Sequence, residues 1–231
     1  MQTAAYDLKH RAQKGQERAY ACRTRIEQRV LGDDGPMASQ EASWDSRILA
    51  RTLAVDDDGS RHVVHVMEPV SVTPEGAAQG IAPERQVSYD QVDERGRIIE
   101  STNDGALCLY LLPDVPVAPG DTWTSALKLR LPLLGHPVEC IHHYRVGDIT
   151  SVRGHDCLEI GFESEEAVVE AELPIGEQML LTIKTEGVLC FSPEGGFPVT
   201  LQMRIHTRPR VAGVTYETIT DTVQELESIR P

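Results

Sequence analysis

Apolar and polar residues alternate one by one along several stretches of the chain, and this two-residue period limits the fold to one built from strands. The stretch 199–206 reads Val-Thr-Leu-Gln-Met-Arg-Ile-His, and residues 20–30 and 123–131 follow the same pattern. Successive side chains of a strand point to opposite faces of its sheet, so one face of each stretch is predicted to be buried and the other solvated. This half-buried arrangement is typical of antiparallel sheets. Further strands are predicted at 43–55, 61–73, 85–93, 97–102, 138–149, 157–172, 179–191 and 214–226.

Short turns that contain glycine separate these strands and indicate how they connect. Gly59, Gly96, Gly154 and Gly196 each lie between two predicted strands, and glycine readily adopts the positive φ that tight turns need. Strands joined by such turns form hairpins, and no low-complexity linker or internal repeat divides residues 1–231. We therefore expect one all-β domain of about ten strands. Twist accumulates in a flat sheet of that size, which predicts a single strongly curved antiparallel sheet in the form of a half-barrel or a barrel.

Little of the sequence has the periodicity of a helix. The best helix candidates are residues 1–15, predicted to be an N-terminal arm that is either loose or helical, and a short turn at 105–112. No run approaches the roughly 18 apolar residues of a membrane span, and no apolar leader opens the chain. The five cysteines are well separated and odd in number, which favours reduced thiols in a cytosol. We expect a cytoplasmic protein, or an exported one if a leader has been removed.

The charge of the chain excludes one class of partner. The sequence has 22 Lys and Arg against 36 Asp and Glu, a formal net charge of −14, and its pI is about 5.0. Nucleic-acid binding depends on a basic surface that neutralises phosphates. We therefore expect no nucleic-acid partner.

Three local phrases carry a family resemblance: Val-Asp-Glu-Arg-Gly-Arg-Ile at 92–98, Leu-Pro-Asp-Val-Pro-Val-Ala-Pro-Gly-Asp-Thr-Trp at 112–123, and Gly-Val-Leu-Cys-Phe-Ser-Pro-Glu-Gly-Gly at 187–196. In order and spacing they resemble a group of uncharacterised bacterial β-rich domains, usually exported, whose architecture is similar to the lipoprotein-carrier (LolA-like) half-barrel. The resemblance covers about residues 6–226. It implies a curved antiparallel sheet around an apolar concavity, and it implies no catalytic residues.

The end of the second phrase predicts an anchored turn. Pro119 and Gly120 favour a tight turn, and Asp121 is expected to bind the backbone amides that follow it. Trp123 then opens a strand, where its ring can bury roughly 200 Å² of surface. We interpret Trp123 first of all as a structural anchor of the sheet.

The chain lacks the short motifs of nucleophilic, phosphate-binding, dinucleotide-binding and zinc-protease sites. The nearest approach is the run from Cys140 to Tyr144, where alternation places Cys140, His142 and Tyr144 on one face and His143 on the other. One Cys and one His do not complete a zinc site, and an apolar face suppresses the thiolate that a Cys–His nucleophile needs. We predict no metal site, no cofactor and no catalytic residue.

Two functional hypotheses fit these observations better than an enzyme. The first is a non-catalytic interaction or assembly protein that docks on another protein, or on a second copy of itself, through a sheet edge or face. The second is a carrier that holds an apolar small molecule or lipid in the concave face of a half-barrel. Seven residues are candidates for lining that face: Tyr20, Trp123, Leu127, Leu129, His142, Tyr144 and Met203. The sequence alone favours the first hypothesis, and the carrier is the alternative.

Overall fold

The strands of the described chain belong to one antiparallel sheet, as the alternation predicts. The computed structural model describes residues 4–32, 35–73, 84–102, 109–129, 137–172 and 177–231, and within them there is no helix. Residues 105–108 of the turn expected at 105–112 and residues 130–131 of the stretch 123–131 lie outside the described residues. The strands are β1 (Glu17–Gly32), β2 (Gly35–Val55), β3 (Arg61–Val72), β4 (Gln86–Val92), β5 (Ile98–Ser101), β6 (Thr122–Leu129), β7 (Val138–Val152), β8 (His155–Ser164), β9 (Ala167–Glu172), β10 (Gln178–Ser192), β11 (Phe197–Val211) and β12 (Val214–Arg230).

The sheet is open along its two outer strands. In space, the strands of the described chain follow the order β5-β4-β3-β2-β1-β12-β11-β10-β8-β7-β6. β9 pairs with the first half of β10, and β8 pairs with the second half. Because β5 and β6 end this order without pairing to each other, the architecture is a curved half-barrel and not a closed barrel. The strand predicted at 157–172 is interrupted at residues 165–166, which separate β8 from β9.

Burial along the strands separates an inner from an outer face. On β11, Val199, Leu201 and Met203 are buried, whereas Gln202 and Arg204 are exposed. β1, β7 and β10 show the same alternation, so the period in the sequence corresponds to the two faces of one sheet. We call the buried side the inner face. The described residues include no helix long and apolar enough to span a membrane.

Two extended segments cross the inner face: the N-terminal segment (residues 4–15) and the crossing segment (residues 109–121). They meet in a β-bridge, where the Tyr6 amide donates to the Val117 carbonyl at 2.7 Å and the Val117 amide donates back at 2.9 Å. The expectation of an N-terminal helix is therefore wrong for residues 4–15. Backbone amides of this segment bond to distant elements instead, as the Arg11 amide does to the Gly196 carbonyl at 2.9 Å.

The main core lies under β7, β8, β10 and β11. Leu8, Leu112 and Val117 enter it from the two segments, and Leu8 has no exposed surface. The other buried members come from the sheet: Tyr144, Val146, Leu158, Ile160, Phe162, Leu189, Phe191, Leu201 and Met203. The N-terminal and crossing segments thus fill the inner face over this part of the half-barrel.

The hairpin between β11 and β12 contains an unfavourable residue that provides a test of the turn geometry. Ala212 and Gly213 form its two-residue loop with φ of 48° and 82°, and two successive positive φ values are typical of a type I′ turn. Alanine in this region is disfavoured by roughly 1–2 kcal/mol, whereas asparagine tolerates it. Ala212→Asn is expected to raise the free energy of unfolding by about 0.5–1 kcal/mol, measured by urea denaturation. Ala212→Val is the control and is expected to lower it, because a β-branched residue suits positive φ even less; equal stability of the two variants would contradict the turn assignment.

Candidate functional site

The residues predicted to bind a ligand lie on the inner face, but the fold does not bring all seven into one pocket. Trp123, Tyr144 and Met203 also line the wider groove described below. Six of the seven lie on β6, β7 and β11: Trp123, Leu127, Leu129, His142, Tyr144 and Met203. These six pack in or against the buried interior, where Tyr144 is 2% exposed and Leu127 is 1% exposed. Tyr20 lies apart from them on β1, and it is the member of the set that lines the inner-face cavity described below.

Trp123 has the contacts of a structural anchor. Its ring stacks on Tyr144 with 4.6 Å between the ring centroids, and its indole Nε1 donates to the Leu111 carbonyl at 3.3 Å. In the preceding turn, Asp121 accepts a hydrogen bond from the Ala118 amide at 2.8 Å. The expectation that Asp121 binds amides after it is therefore wrong, because the turn folds the chain back and brings an earlier amide to the carboxylate.

The Cys140–His142 pair on β7 has the environment of a packed core. His142 Nδ1 donates to the Cys140 carbonyl at 3.2 Å, which leaves Nε2 to accept a hydrogen bond from the Thr185 hydroxyl. Burial lowers the pKa of His142 and raises the pKa of Cys140 to about 11, so both groups are neutral at neutral pH. In the described part of the chain, no three His, Cys, Asp or Glu residues lie close enough together to hold a metal ion.

The other described cysteines are also buried, as Cys140 is. Each of the four described cysteines is a buried free thiol: Cys22, Cys140, Cys157 and Cys190. Burial raises the pKa of Cys157 to about 11 as well. The fifth cysteine, Cys108, lies outside the described residues.

A cavity of about 420 Å³ lies on the inner face, next to the part that the N-terminal and crossing segments fill. Most of its lining comes from consecutive strands of the sheet, from β5 through β1 to β11. This volume lies within the range of small-molecule sites. The apolar part of its lining consists of Tyr20, Ile48, Ala50, Val63, Met67, Val92, Ile98, Leu109, Pro198 and Leu201.

Two arginines line this cavity and are more than nine-tenths buried. Arg18 on β1 and Arg61 on β3 are each 7% exposed. Arg18 donates through Nη2 to the Arg11 carbonyl and to Gln16 Oε1, the latter at 2.8 Å, and its Cζ lies 4.8 Å from the centroid of the Phe197 ring. The Nε of each arginine has no hydrogen-bond partner, and neither guanidinium forms an ion pair with a carboxylate of the described chain. The charge of Asp93 acts on Arg61 without forming an ion pair with it, so the cavity contains two positive charges that no ion pair within the described chain neutralises.

Two ionisable groups beside these arginines, His10 and Tyr20, are uncharged. Burial, together with the charge of Arg18, lowers the pKa of Arg61 to about 10, so the Arg61 guanidinium stays charged at neutral pH. Burial and the two arginines lower the pKa of His10 well below 6.5, and burial raises the pKa of Tyr20. The two guanidinium groups therefore lie next to a neutral imidazole and a neutral phenol.

A carboxylate also lines the cavity but is bound by its own neighbours. Asp90 accepts hydrogen bonds from His65 at 2.7 Å, from Ser88 at 3.2 Å and from the hydroxyl of Ser101. Burial acts to raise the pKa of Asp90, but these hydrogen bonds outweigh it and lower the pKa. Asp90 is thus satisfied by side chains of β3, β4 and β5.

A wider groove of about 900 Å³ crosses the outer face between β6 and β12. Several of its charged side chains pair with each other or with adjacent groups. Arg204 donates to the two Asp221 oxygens at 2.7 and 3.1 Å, and His143 Nε2 lies 3.1 Å from Glu165 Oε1. Exposed ion pairs of this kind are ordinary on a solvated sheet face, so the inner-face cavity is the stronger candidate site.

Two comparisons with known proteins assign no site residues to this chain. No family model matches the chain, and a search of curated proteins finds no match. The resemblance to LolA-like half-barrels therefore stays a prediction. What the fold and the cavity define is a class: an open antiparallel half-barrel of twelve described strands with a small cavity on its inner face.

The sequence does not identify Arg18 and Arg61 as site residues, although its alternation does indicate the face of the sheet on which they lie. Arg18 lies two residues before Tyr20, and Arg61 lies two residues before Val63. Residues two apart on a strand share a face, so both arginines are placed on the inner face by the same period that predicts the strands. The pattern says nothing about whether a carboxylate meets them there.

Proposed function

We propose that the protein is a carrier that binds a small apolar ligand in the inner-face cavity. The observation that carries this proposal is an unfilled volume of about 420 Å³ with largely apolar walls, beside a core of buried side chains. Small-molecule sites are clefts or cavities of roughly 300–1,000 Å³ with mostly apolar linings. An open concave site of this volume and lining is therefore typical of a binding site.

The proposal restricts the ligand to one part of the half-barrel. Core side chains and the two inner segments occupy the inner face over β7–β11, so the ligand would contact Tyr20, Ile48 and Val63 rather than Leu127 or His142. The LolA-like resemblance supports a concave ligand site in general.

Replacing Ala50 with phenylalanine tests the carrier function. Ala50 lies on β2 and lines the cavity, so a phenyl ring there would occupy volume that a ligand needs. Nile red, a neutral dye that fluoresces in apolar surroundings, is the probe. The wild-type chain is expected to bind Nile red, and Ala50→Phe is expected to weaken this binding by at least about tenfold, as fluorescence titration would show.

Ala38→Phe is the matched control for this experiment. Ala38 is an exposed residue of the same strand and does not line the cavity, so its replacement should leave the dissociation constant of Nile red unchanged. Circular dichroism would establish that both variants retain the β-sheet. A wild-type chain that does not bind the dye, or an Ala50→Phe chain that binds it equally well, would refute the carrier proposal.

The open edges of the sheet favour a second candidate function, an interaction or assembly subunit. β6 ends the spatial order of the described strands and pairs with β7 on one side. An edge strand offers amides and carbonyls to a strand from another protein or from a second copy. Native mass spectrometry of the protein purified from its own host separates the two functions, because a carrier retains the mass of a small molecule and an assembly subunit retains the mass of another chain.

A further inference from the structure

The two cavity arginines are an unusual feature of a site whose walls are largely apolar. Arg18 and Arg61 are each 7% exposed, and the Nε of each lacks a hydrogen-bond partner. Arg18 also donates to the Arg11 carbonyl and to Gln16, but neither acceptor is charged. Removing a charged group from water without an opposite charge beside it is strongly unfavourable. A pair of such charges at the wall of a binding cavity therefore points to a negatively charged group that arrives with the ligand.

Carboxylates near the cavity in the described chain are already bound elsewhere. Asp90 is held by side chains of β3, β4 and β5. Asp93 accepts the amides of Arg95 and Arg97 at 2.8 Å each, and the Arg97 guanidinium at 3.2 Å. Asp93 acts electrostatically on Arg61, but neither carboxylate forms an ion pair with the two cavity arginines.

We propose that Arg18 and Arg61 bind the headgroup of the carried ligand, and that this ligand is an amphipathic oxyanion with a carboxylate or phosphate group on an apolar body. The inference rests on the proposed carrier function and names the chemical class of its ligand. A planar guanidinium presents N–H donors in a fork that matches the oxygens of carboxylates and phosphates. Ile48, Val63 and Met67 supply apolar walls for the rest of the molecule.

Two neighbours of the arginines, His10 and Tyr20, can also donate hydrogen bonds to an anionic headgroup. His10 and Tyr20 line the cavity and interact electrostatically with both guanidinium groups, which places the four side chains in one part of it. A neutral imidazole and a neutral phenol can each donate a hydrogen bond. They add donors without adding a negative charge that would repel the headgroup.

Isothermal titration calorimetry of the full chain with four probes tests this inference: decanoate, decyl phosphate, decanol and inorganic phosphate. The wild type is expected to bind at least one of the two amphipathic anions about tenfold or more tightly than decanol, because hydrogen bonds to a charged group are the strong ones. The comparison of decanoate with decyl phosphate identifies the preferred headgroup. Inorganic phosphate is expected to bind more weakly than decyl phosphate, because it has no apolar body to bury.

Arg61→Met removes the charge and keeps the length of the side chain. This variant is expected to weaken binding of the preferred anion about ten- to hundredfold and to leave the affinity for decanol nearly unchanged. Without ligand, it is expected to unfold at a higher urea concentration than the wild type, because an unpaired buried charge opposes folding. Arg51→Met is the matched control, since Arg51 is exposed on β2 outside the cavity and its loss changes the net charge equally.

The outcomes separate this inference from the proposed function. If the wild type binds decanol as tightly as both anions, or if Arg61→Met binds the anions unchanged, the inference fails and the carrier function stands. If decanoate, decyl phosphate and decanol all fail to bind, both fail. Both also fail if inorganic phosphate binds as tightly as decyl phosphate, because the apolar body would then contribute nothing. Should Arg61→Met not fold, the wild-type comparison of the anions with decanol decides the inference by itself.

Discussion

Replacing Gly187 with alanine is expected to lower the free energy of unfolding by about 3 kcal/mol or more. Gly187 lies on β10, between Phe162 of β8 and Met203 of β11. A Cβ atom at Gly187 would lie 2.3 Å from the Gln202 carbonyl oxygen and 2.4 Å from Phe162 Cζ. The carbonyl belongs to the backbone of the neighbouring strand, so rotation of a side chain cannot relieve the clash and the strands themselves must move apart.

Urea denaturation followed by tryptophan fluorescence measures this loss, with Gly161→Ala as the control. Gly161 lies on β8 and pairs with Val188, the residue after Gly187, and a Cβ atom there would have no atom within 4 Å. Because glycine weakens the interior of a strand, Gly161→Ala is expected to raise the free energy of unfolding by about 0.5–1 kcal/mol. If the two variants were equally stable, the close approach of β8, β10 and β11 around Gly187 would be wrong.

The strands could be predicted from the sequence because the information that defines them is local. The stretch 199–206 alternates at every residue, and it lies within β11, which runs from Phe197 to Val211. The face on which a residue lies depends only on whether its position is odd or even along the strand. The turns are local in the same sense. Gly59 lies in the turn before β3 and Gly96 in the turn after β4, and their φ values are 85° and 93°. Local patterns of this kind are sufficient for the fold class.

The order of the strands and the filling of the inner face depend on residues that are distant in the sequence. β1 pairs with β12, so that Tyr20 lies opposite Leu226. Whether the sheet closes depends on the summed twist and stagger of all its strands, which no single stretch contains. The sequence therefore predicts a half-barrel or a barrel, and only the complete pairing decides in favour of the open form.

The charges in the cavity depend on contacts between strands, which local sequence patterns do not predict. Alternation places Arg18 and Arg61 on the same face as Tyr20 and Val63, which is correct for both. Whether these arginines are neutralised depends on the side chains that four or five other strands bring to the same place. The pairing of Asp90 with His65 is one such contact, and it removes from the arginines a carboxylate that the sequence leaves free to meet them.

Leu8→Ala is expected to lower the free energy of unfolding by about 3 kcal/mol, which corresponds to a decrease in Tm of roughly 6–12 °C for a chain of this size. Leu8 has no exposed surface and packs in the main core with Leu112 and Val117. Truncation would leave a cavity among residues that are held by the rest of the sheet and cannot close around it. The sequence contains little sign of this role, because Leu8 stands alone between Asp7 and Lys9.

Leu53→Ala is the matched control for Leu8→Ala, and the pair distinguishes a loose N-terminal arm from a segment that belongs to the core. Leu53 is 42% exposed on β2, so its truncation is expected to change the free energy of unfolding by no more than about 0.5 kcal/mol. A loose arm would make the two variants equally stable, as thermal denaturation would show. A large loss in Leu8→Ala alone would mean that the N-terminal segment holds the filled part of the inner face in place. Because His10 of the same segment lines the cavity, the wall of the proposed ligand site would then depend on the packing of Leu8.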